Sequence, residues 1–313
     1  MSLLLQYTLI YASVLLLVAL GGCFSEHSGV INLGLEGIMV IGALGGALVM
    51  RGMPNLPGPA MLIMVFLGAV VAGMIFSLLL AVAAVNFNAD QTLVGTAMNL
   101  LGTAAATVFV KAINMASDPN NVSSAIQYIK QKKAFTLVKI GKFELSWFMI
   151  IAVILLILAH IVLYKTKFGL RLMACGEHPQ AADSVGINVY KMRYAGVLIS
   201  GFLGGLGGIV YITAGVSEWK FENGVAGFGF LALAVMIFGQ WKPKYIAGAA
   251  LLFGLFRALS NVYTGFDFLA NLHLPSTVYN MLPYIVSLIV LALFSKNSRA
   301  PKAEGIPYDK GQR

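Results

Sequence analysis

This sequence has the character of an all-α, polytopic transmembrane helical bundle, for three reasons. Hydrophobic residues make up 59% of its 313 positions and charged residues only 11%, against about 25% charged in a soluble domain. Mean hydropathy is +0.85. The apolar residues also gather in runs close to the ~20 residues that a helix needs to cross the hydrocarbon. Open backbone cannot face lipid, so these runs are helices.

Runs free of Asp, Glu, Lys and Arg occur at about 3–22, 58–85, 91–110, 147–164, 194–217, 225–241 and 281–295. Two more carry one charge each, 31–50 with Glu36 and 245–263 with Arg257. Together they make about nine membrane segments in a single domain, 1–313. The first run follows no Lys or Arg, so it is expected to be a retained helix and not a cleaved signal, although "LVALGGC" loosely resembles a lipoprotein cleavage site. Pro54, Pro57 and Pro59, with Gly52 and Gly58, make a tight link between the second and third segments. The 31–50 run has two readings. If it spans, the odd count leaves the N-terminus outside; if it is re-entrant, the N-terminus is inside.

Charge between the segments sets orientation. Residues 165–193 hold Lys165, Lys167, Arg171, Lys191 and Arg193 against Glu177 and Asp183. The link 241–245 adds Lys242 and Lys244, and the tail 296–313 adds Lys296, Arg299, Lys302, Lys310 and Arg313. Two helices separate each of these from the next, so all three share one side, which the positive-inside rule makes cytoplasmic. Parity then places 112–146 outside despite its lysines. Within it "FTLVKIGKFEL" (135–145) alternates around Gly141 like a short β-hairpin, which suits an external cap. The net charge of +9 therefore reflects topology beside anionic membrane lipid, and nucleic acid is excluded as a partner. Cys23 and Cys175 form no CxxC pair, so neither a metal site nor a disulfide framework is expected.

In "FGLRLMACGEHPQAADSVGINVYKMR" (168–193), Pro179 suits the first position of a helix and Gly186 the position past its end. The helix between them has about two turns, too few to stand alone. It must dock, either on its own protein as a linker or as a knob in a cytoplasmic partner. Gly42 and Gly46, Gly201 and Gly205, and Gly204 and Gly208 stand four apart, each pair on one helix face. Such spacing lets helix backbones close on one another and argues for a compact bundle.

Three stretches, "GVINLGLEGIMVIGA" (29–43), "KTKFGLRLMACGEHPQAADSVGINVYKMR" (165–193) and "SGFLGGLGGIVYI" (200–212), resemble the membrane permeases of bacterial ABC importers. The likeness covers about 20–295 and is to the branched-chain amino-acid and ribose permease superfamily. Within it, Asn32 to Gly37 are most similar to permeases of nucleoside uptake systems linked to basic membrane lipoproteins. The resemblance implies a multi-pass subunit of the bacterial cytoplasmic membrane that forms half of a translocation pathway for nucleosides. It also implies a second homologous permease, a cytoplasmic ATPase that carries ATP and Mg, and an external substrate-binding lipoprotein. Simple sugars, branched-chain amino acids and a flavin-like vitamin are the other cargoes of such machinery. The stretch with His178, Pro179, Ala181, Ala182, Asp183 and Gly186 matches the family's coupling helix, which sits in a cleft of the ATPase.

No glycine-rich phosphate loop ending in Gly-Lys-Ser/Thr occurs; "KIGKFE" lacks the first glycine and the hydroxyl. The chain is thus expected to be no enzyme and to bind no cofactor or metal itself. No nucleophile–base arrangement or paired carboxylates suggest a membrane enzyme. The alternative class, a stand-alone secondary transporter, would need coupling carboxylates within its own helices.

Glu36 is the residue that demands an explanation. A carboxylate in hydrocarbon costs ~2.5–3.5 kcal/mol on insertion scales unless it is compensated. Asn32 is expected one turn earlier on the same face. Arg257 lies roughly 18 Å into its segment, counted from Tyr245. The two charges pair, or both line the translocation cavity, or Glu36 caps or staples a helix start to its neighbour while Arg257 snorkels outward. Asn99, Asn261, Phe228, Phe230 and Tyr263 lie in or beside segments that would flank a pathway. Their rings suit stacking on a planar base and their amides its polar edges, with ordinary helix packing as the alternative in each case.

Overall fold

The computed structural model describes residues 2–128, 134–140, 143–214, 218–266, 275–294 and 299–311. The chain opens with α1 (Ser2–His27), α2 (Leu35–Gly52), α3 (Gly58–Val85) and α4 (Gln91–Ser117). A strand β1 (Ala125–Gln127) and the strands β2 (Thr136–Ile140) and β3 (Phe143–Ser146) follow. Then come α5 (Trp147–Lys165) and two short helices, α6 (Lys167–Glu177) and α7 (Pro179–Ser184). The remainder is α8 (Val189–Thr213), β4 (Glu218–Lys220), a 3-10 turn (Phe221–Asn223), α9 (Phe228–Phe238), α10 (Pro243–Val262) and α11 (Ser276–Phe294). Among the described residues eight helical stretches are long and apolar enough to cross a membrane, and α11 carries a shorter apolar stretch. The expected all-α bundle of about nine segments is thus present.

Helix starts follow local chemistry. Asp90 caps α4 by accepting from the Leu93 N–H at 2.9 Å, and Asn188 caps α8 by accepting from Lys191 N–H at 2.9 Å. Ser146 and Thr166 do the same for α5 and α6. Each satisfies one of the orphan donors that a helix leaves at its N-terminus. The hairpin expected over 135–145 is formed by β2 and β3, antiparallel, with Lys139 opposite Glu144 and joined to it by a 2.7 Å ion pair. Its tip, Gly141, lies outside the described residues.

Contacts define two ends of the bundle. At one, the Trp241 carbonyl in the link before α10 accepts from Cys23 Sγ and meets His27 Nε2, both on α1. The tail and the 165–193 segment meet at the same end, where Ala303 N–H donates to the Gly176 carbonyl. Loop, link and tail therefore share this loop end. At the other, the hairpin end, Glu144 N–H donates to Gln6 Oε1 near the start of α1. The N-terminus of α1 thus lies opposite the basic segments. Helix α2 begins beside the start of α4, where Ile31 N–H donates to Gln91 Oε1, and finishes with Arg51 bonded to Asn114 and Ser117 near the end of α4. It traverses the bundle, so of the two readings of 31–50 the spanning one holds.

The core is built on α1, whose Val14–Leu20 stretch is buried throughout, and on the meeting of α2, α3 and α8. Residues Leu203 to Thr213 of α8 are buried without exception. Gly42 of α2 faces Gly205 of α8 with no room for a Cβ on either, and Gly73 of α3 closes on Gly201 and Gly205. A Cβ on Gly46 would stand 2.6 Å from the Ile209 Cδ1, and one on Gly204 would stand 2.9 Å from the Ile38 Cγ2. Gly208 presses on the Met39 carbonyl. In lipid, where apolar surface gains nothing by leaving its solvent, this backbone proximity is what holds helices together.

Gly205→Val should therefore lower the thermal stability of the solubilised protein by about 1–3 kcal/mol, the usual cost of overpacking. Gly248→Ala, where no atom lies within 4 Å, should leave it unchanged. Equal melting temperatures for wild type and Gly205→Val would refute this account of the core.

Candidate functional site: a carboxylate between two broken helices

Two interruptions of helical backbone lie inside the bundle, and Glu36 stands between them. The first is 28–34, between α1 and α2. Most of these residues are buried, and buried backbone groups need partners within the protein. The Asn99 amide on α4 supplies two, donating from Nδ2 to the Leu33 carbonyl and accepting the Gly37 N–H at Oδ1, each at 2.8 Å. Asn32 Nδ2 donates to Ser200 Oγ at 2.8 Å while its Oδ1 accepts from Gly34 N–H at 3.1 Å. Asn32 was expected on the helix with Glu36. It lies instead in the break, because α2 starts at Leu35 with Gly34 as its cap residue.

The second interruption lies at the head of the apolar stretch expected over about 225–241. The chain passes from the 3-10 turn through Gly224 to Gly227, and α9 begins only at Phe228. Its 11 residues extend about 16 Å, roughly half of a ~30 Å hydrocarbon core. Trp219 Nε1 donates to the Gly224 carbonyl at 3.0 Å, and the Tyr284 hydroxyl to the Ala226 carbonyl at 2.5 Å.

Glu36 joins the two. Its Oε1 accepts from Gly227 N–H and its Oε2 from Gly229 N–H, both at 2.7 Å. A helix N-terminus presents unsatisfied N–H groups and roughly half a positive charge. The carboxylate thus finds on α9 the compensation that hydrocarbon denies it. A Cβ on Gly229 would stand 2.6 Å from the Glu36 Cα, so this approach depends on glycine.

Arg257 is not its partner. The ion pairs among the described residues are Lys139–Glu144 and Lys310–Asp183. The Arg257 guanidinium instead lies 5.4 Å from the centre of the Phe228 ring and 5.9 Å from that of Tyr11, where ring faces attract a cation. Phe228 is fully buried and packs on Tyr211, centroids 4.4 Å apart, and on Tyr11, 5.6 Å apart. Asn261 Nδ2 donates to the Tyr11 hydroxyl. Phe228, Arg257 and Asn261 are thereby brought together in an aromatic cluster next to the Glu36 cap. Phe230 points out of the chain, 51% exposed, and Tyr263 stacks on Tyr279 with centroids 4.0 Å apart. The tyrosines of this cluster and Ser200 carried no signal in the sequence. Glycine is dense at both breaks, in "GVAGFG" (224–229) as in "GVINLGLEG" (29–37), but the second was not expected to be a break.

At the loop end, α7 is a single short helix of 6 residues. It closes through Gly186, whose φ of +84° lies in the left-handed region that glycine adopts readily. Pro179 and Ala182 are buried against the protein. His178, Gln180, Ala181, Ser184, Val185 and Gly186 are exposed, and Asp183 is half-buried. No group of three metal-ligating side chains occurs among the described residues.

Comparison with known proteins adds a second line. Residues 4–293 match the family model described as branched-chain amino acid transport system, permease component. The chain is 41% identical to the guanosine ABC transporter permease protein NupQ of Bacillus subtilis, covering 100% of this chain and 98% of that one. It is 42% identical to the nucleoside ABC transporter permease protein NupC of Lactococcus lactis, covering 97% and 96%. It is 31% identical to the putative glucose ABC transporter permease protein TsgC13 of Haloferax volcanii, covering 82% and 76%.

Charge-assisted hydrogen bonds are each worth about 1.5–3 kcal/mol, so Glu36→Ala should destabilise the protein by at least one such bond. Glu36→Gln, which keeps one acceptor oxygen, should fall between. Among the described residues, Glu36 and Arg257 meet only through the start of α9, at Gly227, Gly229 and Phe228. The Glu36→Gln/Arg257→Gln double variant should therefore depart from the sum of the singles by less than about 1 kcal/mol. A larger coupling energy in thermal unfolding would restore the ion pair.

Proposed function

The chain belongs to the branched-chain amino acid transport permease family, and on that premise we propose that it is the membrane permease subunit of an ATP-driven ABC importer, forming half of the translocation pathway for nucleosides. The observation that carries this reading is its identity of 41% and 42%, over essentially its whole length, to two permeases named for guanosine and for nucleosides. The architecture agrees with it. Broken helices meeting inside the membrane are a recurrent way to build a solute path, and the helix α7 presents an exposed face at the basic end of the bundle.

In this reading the loop end is cytoplasmic, the segment 112–146 lies outside, and α7 is the coupling helix. A cytoplasmic ATPase receives His178, Ala181 and Gly186 and supplies the ATP and Mg chemistry. A second homologous permease completes the pathway, and an external lipoprotein delivers the cargo. Glu36 and Asn32 hold the broken backbone, while Arg257, Asn261, Phe228 and Phe230 form or border the wall that solute passes. The likeness to TsgC13 makes a simple sugar the second candidate cargo.

Ala181→Arg, on the exposed face of α7, should cut ATP-driven uptake at least tenfold and reduce copurification of the ATPase, with the amount of permease in the membrane unchanged. Uptake at the wild-type rate would make the chain a self-sufficient transporter. Labelled uridine and guanosine uptake should be competed by unlabelled nucleosides and not by ribose, glucose or leucine. Competition by glucose alone would assign the cargo to the sugar branch.

A further inference from the structure

The tail does not trail from the bundle; it returns across the loop end and is built into it. Ala303 N–H donates to the Gly176 carbonyl of α6 at 2.8 Å, and Gly305 N–H to the Gly29 carbonyl of the first break at 3.2 Å. Arg193, on the first turns of α8 and 1% exposed, donates from Nη2 to the Ile306 carbonyl at 2.9 Å. Tyr308 is 3% exposed and forms a small core with Cys175, Ala182 and Val189. Its ring lies 5.5 Å from that of Tyr190 and 5.9 Å from the Arg193 guanidinium. Lys310 Nζ stands 4.0 Å from Asp183 Oδ1 on α7. The Glu304 carboxyl lies against that of Glu26 at the end of α1, which in turn accepts from Trp241 Nε1. Burial pushes the Glu304 carboxyl up to about 7.

We propose that residues 301–310 are a positioning strap. They fasten the short helix α7 to the break ahead of α2, so that a displacement of α7 reaches Gly29, then Glu36, then the start of α9. Three features support transmission over mere tethering. The strap bonds backbone to backbone at Gly29, seven residues before Glu36. Tyr308 belongs to the same small buried cluster as Ala182 of α7. Arg193, buried on the first turns of α8, holds the strap at two points, by its bond to the Ile306 carbonyl and by its guanidinium over the Tyr308 ring. Tyr308 and Lys310 are thus positioning residues that act through α7.

The proposal rests on the reading of the chain as an ATPase-coupled permease, and the test separates the two. The complete importer, with both permeases, ATPase and lipoprotein, is reconstituted in vesicles, and labelled nucleoside uptake is measured per ATP hydrolysed. Tyr308→Ala should lower that ratio at least tenfold while the ATPase still copurifies and still hydrolyses ATP. Tyr308→Phe, which keeps the ring, should retain most of it, and Lys310→Ala, a change at the exposed end, should lower it severalfold. An unchanged ratio in Tyr308→Ala and Lys310→Ala overturns the strap alone. So does a fall in uptake that merely follows loss of the assembled complex, since that would make the tail a folding or docking element. Failure of the wild-type importer to use ATP for uptake overturns the functional reading, and the strap with it.

Discussion

A backbone amide inside a bilayer has no water to turn to, and the whole bundle is arranged around that fact. Where the helices are continuous the requirement is met within each helix. Where they break, at 28–34 and 221–227, partners must come from elsewhere in the chain. They come as a small set of polar groups: Asn32, Asn99, Ser200, Gln91 and Tyr284 around the breaks, and Glu36 between them. A carboxylate that would be a liability in a lipid-facing helix becomes the fastening between α2 and α9. The close packing of α2, α3 and α8 through glycine follows from the same demand. Only a tight bundle brings the side chains of one helix within 2.8 Å of another's exposed backbone.

The spans were legible because a hydropathy run is a local property, averaged over enough residues to survive boundary errors. The hairpin was legible from alternation around Gly141, and the limits of α7 from Pro179 and Gly186, since each signal sits beside the structure it reports. The break at 221–227 runs into the start of the run 225–241 and leaves no mark on its hydropathy. Hydropathy counts apolar side chains and is blind to the backbone angles at Gly224 and Gly227, whose φ values are +56° and +77°. Side-chain logic also looked for the partner of Glu36 among cations. Its true partners are N–H groups about 190 positions away, and a backbone donor has no letter of its own in a sequence. Asn32 was misplaced by the same short-range reasoning, which extended α2 by one turn too many. The side of the membrane on which the chain begins could not be read from charge, because it depended on whether 31–50 crosses, a matter of tertiary contact at Arg51.

The loop end shows how little sequence signal a docking segment needs. Residues 299–311 are polar and proline-bearing, with no periodicity that marks them as part of a core. Yet Tyr308 is as buried as many residues of the membrane helices. Its burial comes from cooperation: α6, α7 and the first turns of α8 each leave one face uncovered, and the tail covers all three.

The way α9 begins has a consequence for what can pass. A helix terminus pointing N–H groups into a cavity is ordinarily an attractive seat for phosphate. Here the seat is taken, for the Glu36 carboxyl of the same polypeptide already accepts from the Gly227 and Gly229 N–H groups. If the proposed pathway runs past this end, a phosphorylated solute would have to displace Glu36 to gain any hold there, whereas an uncharged one has nothing to contest.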